Sequence, residues 1–180
     1  MGYSFRSRLE PHADGEVSVI QMKDIDDSNF LHTEALVHIQ MPDLKDRHLV
    51  HTGDLLFRSR GITNSAAMVG GDLGRAVLAA PMLLIRPTAE SIDSAYLLWF
   101  INHPATQAGL ASQAAGTAVK MISTSALANL PVTVPPLDTQ RQIVEAARLA
   151  ARESSLLDRL KERRKALIDR QLLHRAQQAH

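Results

Sequence analysis

Arg58-Ser59-Arg60 is the stretch with the clearest capacity for chemistry in this sequence. An arginine fork bonds bidentately to a guanine edge or clamps a phosphate. The apolar run Leu55–Phe57 comes before it and Gly61 after, so the three residues sit where a predicted strand leaves its sheet. Thr117 and Lys120, in the predicted loop after Gly116, form a second candidate contact. Gln21 and Lys23, at the end of a predicted strand Val17–Gln21, form a third. Each has a plain alternative as a solvated loop residue, because exposed Lys and Arg are common. Arg163, Arg164 and Lys165 could touch phosphates, but a charged outer helix face explains them more simply.

Other chemistries lack their parts. Of the eight histidines, His38, His48 and His51 come nearest to a metal set, yet they fall in predicted strand or loop. They lack helical i,i+4 spacing and the glutamate of an H-E-x-x-H pattern, which favours scattered surface histidines over a metal hydrolase. The absence of cysteine excludes disulfides and thiolate ligands. Gly70-Gly-Asp-Leu-Gly74 lacks the strand, helix and Lys-Ser/Thr of a phosphate loop, and reads as a turn. Val134-Pro-Pro-Leu137 lacks both polar ends of a base-methylation motif. No catalytic residue, metal or cofactor is expected.

The elements that must position the arginines divide at Leu130–Val144. There a short predicted strand (Val132, Val134) meets Pro135 and Pro136, through which neither strand nor helix can run. Asp138 or Thr139 can cap the helix that follows. Residues 1–138 read as an α+β domain with a mixed sheet, and 139–180 as one long C-terminal α-helix. Within the domain, Val17–Gln21 and Ala35–Ile39 suit strands, and Ser65–Val69 suits a hairpin partner for Leu55–Phe57. Ala76–Arg86 suits one or two core strands with Pro81 at an edge or bulge. Tyr96, Leu97, Phe100 and Ile101 recur at helical spacing, and Pro104 ends that helix or starts the next. Ala105–Ala115 continues as a small-residue helix, and Ser123 opens one capped turn.

The terminal helix, predicted from about Thr139 to about Arg175, carries Ile143, Ala147, Ala150, Leu157, Leu160, Leu167, Ile168 and Leu172 at mostly 3–4 spacing. Ser154 and Arg164 interrupt that stripe. A helix of this length cannot bury a whole stripe against one small domain, so a coiled-coil arm is favoured over a helix folded back on the domain.

Composition bounds these readings. Apolar residues make up 45% and charged residues 22%, as in folded soluble proteins, while aromatics at 4% argue against stacking platforms for single strands. Residues 139–180 hold ten Lys/Arg against five Asp/Glu, leaving residues 1–138 net acidic. Any DNA contact by the front domain therefore has to use a local basic patch. The longest apolar runs are too short to span a bilayer, and a cytoplasmic location is the simplest reading.

Taken in order, several blocks resemble the target recognition domain and following helix of the specificity (S) subunit of type I restriction-modification systems. They are Val19-Ile-Gln-Met-Lys-Asp-Ile; Gly53-Asp-Leu-Leu-Phe with Gly61; Leu84-Ile-Arg; Tyr96-Leu; and Gly116 with Ile122-Ser123. The sixth and strongest is Leu127-Ala-Asn-Leu-Pro-Val-Thr-Val-Pro-Pro-Leu-Asp-Thr-Gln-Arg-Gln-Ile-Val. The resemblance implies a non-catalytic subunit whose domain reads half of a bipartite double-stranded DNA target. Its helix would act as spacer and docking surface for methyltransferase subunits, with a restriction subunit as a further possible partner. One recognition domain and one helix imply a half-sized subunit that works as a homodimer. The alternative is an interaction or regulatory protein that does not bind DNA and pairs through its helix with a full-length S subunit.

Overall fold

In a computed structural model the chain forms two compact units, Met1–Gln140 and Arg141–His180. The structure describes residues 1–5, 9–12, 14–61, 64–113 and 121–178. Thr117 and Lys120 lie outside the described residues.

The first unit is α+β and holds two three-stranded sheets. In one, β1 (Val17–Ile20) lies between antiparallel β2 (Val37–Ile39) and parallel β5 (Ala76–Leu78). In the other, β3 (Leu55–Phe57) is flanked on both sides by antiparallel partners, β4 (Ala66–Met68) and β6 (Leu83–Ile85). The apolar run Ala76–Arg86 is thus two strands in two different sheets. The turn between them contains a cis Ala80–Pro81 bond. Proline cannot donate to a ladder, so the chain changes sheet there.

Strand alternation sets three layers of core, since successive side chains point to opposite faces. Ile20, Leu56, Ala67 and Leu78 form one cluster joining residues of both sheets. The other face of β3 contributes Leu55 and Phe57, packed with Leu97, Ile101, Leu110 and Ile122. The other face of β1 contributes Val17 and Val19, packed with Phe5, Leu9, Met41 and Leu44. Both central strands are covered on both faces, which explains why Leu55-Leu-Phe57 is continuously apolar.

Helix α1 (Ser94–Asn102) starts at Asp93, whose carboxylate accepts from the Ala95 and Tyr96 amides. Pro104 occupies the first position of α2 (Pro104–Ser112), where its missing N–H costs nothing. Ser123 caps α3 (Thr124–Ala128) by accepting from the Ala126 amide.

Two local expectations are corrected. Val132 and Val134 belong to no strand: Pro131, Pro135 and Pro136 leave too few amides for a ladder, and the Thr133 carbonyl accepts from the Tyr96 hydroxyl at 2.7 Å. The last helix, α4, spans Leu137–Gln178, so Asp138 and Thr139 lie inside its first turn instead of capping it. An acidic Asp138 there still suits the positive end of the helix dipole. Residues 148–178 of α4 are exposed throughout, and among the described residues no helix is long and apolar enough to cross a membrane.

Candidate nucleic-acid interface

The candidate residues gather where β1 and β3 end. Beyond Ile20 the chain makes a single 3-10 turn, Met22–Asp24, held by the Gln21 amide donating to the Asp24 carboxylate at 2.7 Å. Lys23 projects outward, its side chain 61% exposed and 3.8 Å from Asp24. A contact this long on an exposed lysine contributes little and leaves the cation available.

The next loop, Asp26–His32, is built around one carboxylate. Asp26 accepts from the Ser28 hydroxyl at 2.7 Å, from the Ser28 and Phe30 amides, and from His32 Nε2 at 3.0 Å. The Ser28 hydroxyl, then the Phe30 amide and His32, hold the Asp26 carboxyl well below the usual carboxylate range of about 3.9. At the loop's tip Asn29 takes a left-handed conformation, with φ +63°. Phe30 remains 58% exposed, edge-on to His32.

Because the folded carboxyl titrates below its unfolded value, its contribution to stability is present above the ordinary carboxylate pKa. It is lost only as pH falls through the depressed folded value. Hydrogen exchange at the Ser28 and Phe30 amides should therefore stay slow from pH 7 down to about 4. It should accelerate only in stronger acid. Acceleration around pH 4 itself would show that the carboxylate is not held as described.

Arg58 closes this loop onto β3. Its guanidinium donates to Asn29 Oδ1 at 2.7 Å, to Ser65 Oγ at 2.5 Å and to the Asp26 carbonyl at 3.3 Å. Asn64 Nδ2 donates to the Arg58 carbonyl, and the Ser65 hydroxyl donates to Asn29. Only Arg58 Nε among these buried atoms lacks a bond. Ser59 donates its hydroxyl to the Pro81 carbonyl, tying β3 to the sheet-changing turn.

The three-residue run therefore splits. Arg58 and Ser59 are 7% and 3% exposed and direct the hydrogen bonds of their side chains into the protein. The reason is local: neutral oxygens from Asp26, Asn29 and Ser65 converge on the guanidinium, replacing its hydration. Arg60, one residue on, is exposed and pairs by backbone with Met121, while the Ile122 amide donates to the Ser59 carbonyl at 2.8 Å. Residue 121 directly follows Lys120 in the chain. The structure thus joins the Asp26–His32 loop to Arg58 and Arg60 to Met121, with Gln21 and Lys23 on the turn that leads into that loop. Sequence reasoning reads Lys23–Asn29 as polar turn material, in keeping with the side-chain-to-backbone turn pattern Asp26-Asp-Ser-Asn29, but does not show that this loop holds Arg58.

The opposite end of β3 holds a second polar assembly. Asp54 is buried at 2%; it accepts from the His51 amide and, through both oxygens, from Arg86 at 2.7 and 2.6 Å. Arg86 also donates to the Leu49 carbonyl, and the Asp54 carboxylate holds its guanidinium above the usual arginine value. The Gly53-Asp54 and Leu84-Ile-Arg86 blocks are therefore two halves of one ion pair. Tyr96 and Gln140 carry two further blocks into contact. Gln140, completely buried, accepts from the Asp93 amide and donates to the carbonyls of Ser91 and Pro135.

Each block quoted from the sequence that lies in described residues thus has a place in this domain. A family profile described as "Type I restriction modification DNA specificity domain" matches residues 1–150. The chain belongs to that family. No curated protein matches it. Such specificity domains are typically non-catalytic, and the family implies DNA and methyltransferase subunits as partners in general. Among the described residues of this specificity domain, no group of His, Asp and Glu is arranged to hold a metal ion. His38 and His51 are exposed, and His48 packs edge-on against Tyr3.

Proposed function

We propose that this chain is a non-catalytic DNA-recognition module that reads one half of a bipartite target and docks methyltransferase subunits. We further propose that it works as a homodimer joined through α4. The observation that carries the reading is the family match across residues 1–150. The geometry supports a contact surface at the β1/β3 end, where Lys23 and Arg60 are exposed cations on backbone fixed by Asp24, Arg58 and Ser59. Arg58 is then a positioning residue, and Arg60, Lys23 and Gln21 are the direct contacts, joined by Thr117 and Lys120. Symmetric pairing would match a symmetric split site.

The test is selection of duplex DNA from a random pool by the full chain together with its methyltransferase subunits. On the selected site, Arg60→Ala is expected to weaken binding about tenfold, a typical effect for an arginine on a base edge. Lys23→Ala should weaken all sequences alike and lower the salt slope by about one. Neither should change the melting temperature. Unchanged affinity for both variants would remove this surface from the reading. The net acidic charge of residues 1–138 favours the alternative of an interaction protein. Capture of a full-length S subunit, with no duplex retained at low salt, would establish that alternative.

A further inference from the structure

Phe30 is a large apolar side chain placed where water reaches it. Among the described residues of the first unit beyond Met1, no other large apolar side chain is so exposed. The residue after it is used by the core: Leu31 is buried and pairs across a bridge with Ile25. The Asp26 amide donates to the Phe30 carbonyl at 3.0 Å, and the His32 amide to the Asp24 carbonyl at 2.8 Å. The backbone on both sides of the ring is thereby closed into a tight hairpin. His32 packs edge-on against the ring, with centroids 5.1 Å apart.

A single exposed apolar residue is ordinary on a protein surface. The bracing behind this one is not. Arg58 is buried and bonded to neutral oxygens of Asp26, Asn29 and Ser65, and among the described residues no carboxylate forms an ion pair with it. Burying a guanidinium without a counter-charge is costly, and a packed aliphatic side chain would fill the same space at less cost. What the guanidinium adds is position, because two of its bonds fix Asp26 and Asn29, the latter next to Phe30.

The chemistry of the tip selects its ligand. Asp27, Ser28 and Phe30 are exposed there. A carboxylate is repelled by phosphate and a phenyl ring offers it no donor, so the tip suits base edges and not the backbone. In the major groove a carboxylate accepts from cytosine N4, and an apolar side chain meets the 5-methyl group of thymine. That methyl is displayed only in the major groove, where an arginine such as Arg60 also bonds to guanine. A ring already held in place loses little freedom on binding.

We propose that Phe30 reads a thymine, packing its ring against the 5-methyl group in the major groove of the half-site. This rests on the DNA-recognition reading above and adds to it one base and the residue that reads it.

The test uses the full chain with its methyltransferase subunits and the selected duplex, remade with deoxyuridine at each thymine in turn. That exchange removes the methyl group alone. For the native chain, deoxyuridine at one thymine should weaken binding about fourfold, the value for one buried carbon. Phe30→Ala should weaken binding to the unmodified site about tenfold, as a mismatched base pair does. Its salt slope should match that of the native chain, since no phosphate contact is lost. The same deoxyuridine should then make no further difference to Phe30→Ala, and that non-additivity identifies the contact. Equal deoxyuridine losses in both chains, or no loss at any thymine of a duplex that is bound specifically, overturn the thymine contact and leave DNA recognition standing. Weaker association of Phe30→Ala with the methyltransferase subunits in the absence of DNA makes the loop a protein contact and overturns the proposal. A random pool that yields no preferred duplex removes the DNA-recognition reading, and the thymine contact with it.

Discussion

Asp54→Ala is expected to lower the unfolding free energy by about 3 kcal/mol, the cost of removing one partner of a buried ion pair. Three bonds end together: both from Arg86 and the one from the His51 amide. The loss falls unequally on the two partners. Asp54 is buried, its side chain 3% exposed, but the Arg86 side chain is 35% exposed, so water can rehydrate the orphaned guanidinium. That exposure keeps the expected cost at the lower end of the range for buried pairs. Arg86→Ala should cost at least as much, because it leaves a carboxylate buried beside Leu55 with only the His51 amide. Asp54→Asn retains an acceptor for His51 while losing charge, and should fall between the alanine variant and the native chain. Urea unfolding measures all three; with a slope of about 2 kcal/mol/M, Asp54→Ala should shift the midpoint by about 1.5 M. A shift below about 0.3 M on that same slope would mean the pair is incidental to the fold. DNA binding, proposed for the other end of β3, should change only through the folded fraction.

This pair shows what was legible in the sequence and what was not. Gly53-Asp54 ahead of Leu55–Phe57 announced a turn and a strand, because glycine permits the observed φ of +87° and the apolar run needs burial. That Asp54 would take Arg86 could not be read. The two residues come together only because β3 and β6 pair, and such pairing is decided by the whole core. The same limit governs Arg58 and Arg60. In sequence they are equivalent arginines at a strand's end, yet one is enclosed by Asp26, Asn29 and Ser65 and the other is exposed. Local patterns carried the punctuation well: Pro104 between two helices, Ser123 at a cap, Pro81 at a break in the apolar run. They failed at Val132 and Val134, where β-branched residues suggested a strand but flanking prolines left no ladder to join. The stripe of α4 was legible because period alone defines it, and its exposure followed from length.

Gln140 is the second position where a large effect is expected, and it looks like an ordinary polar residue in a polar helix. Its side chain is completely buried and satisfies three backbone groups at once, two carbonyls and one amide. Only an amide side chain can donate and accept in that arrangement. Gln140→Leu keeps the bulk but strands the Asp93 amide and the Pro135 and Ser91 carbonyls. Ser91 is exposed and can turn to water, so the expected cost is about 2–3 kcal/mol, set mainly by the other two groups. Gln140→Glu is the sharper test, because it replaces the donor with a carboxylate aimed at two carbonyl oxygens. Burial and that repulsion disfavour the charged form, raising the folded pKa of the new acid above its unfolded value. The variant should therefore be least stable at neutral pH and regain stability as pH falls through the raised value toward about 4. Either substitution should also free the first turn of α4 from the Ser91–Asp93 loop. Trypsin should then cut after Arg141 faster, while the rate at Arg163 and Arg164 stays unchanged. Equal acceleration at all three arginines would indicate global unfolding. No acceleration at Arg141 would show that the first turn of α4 is held by something other than Gln140.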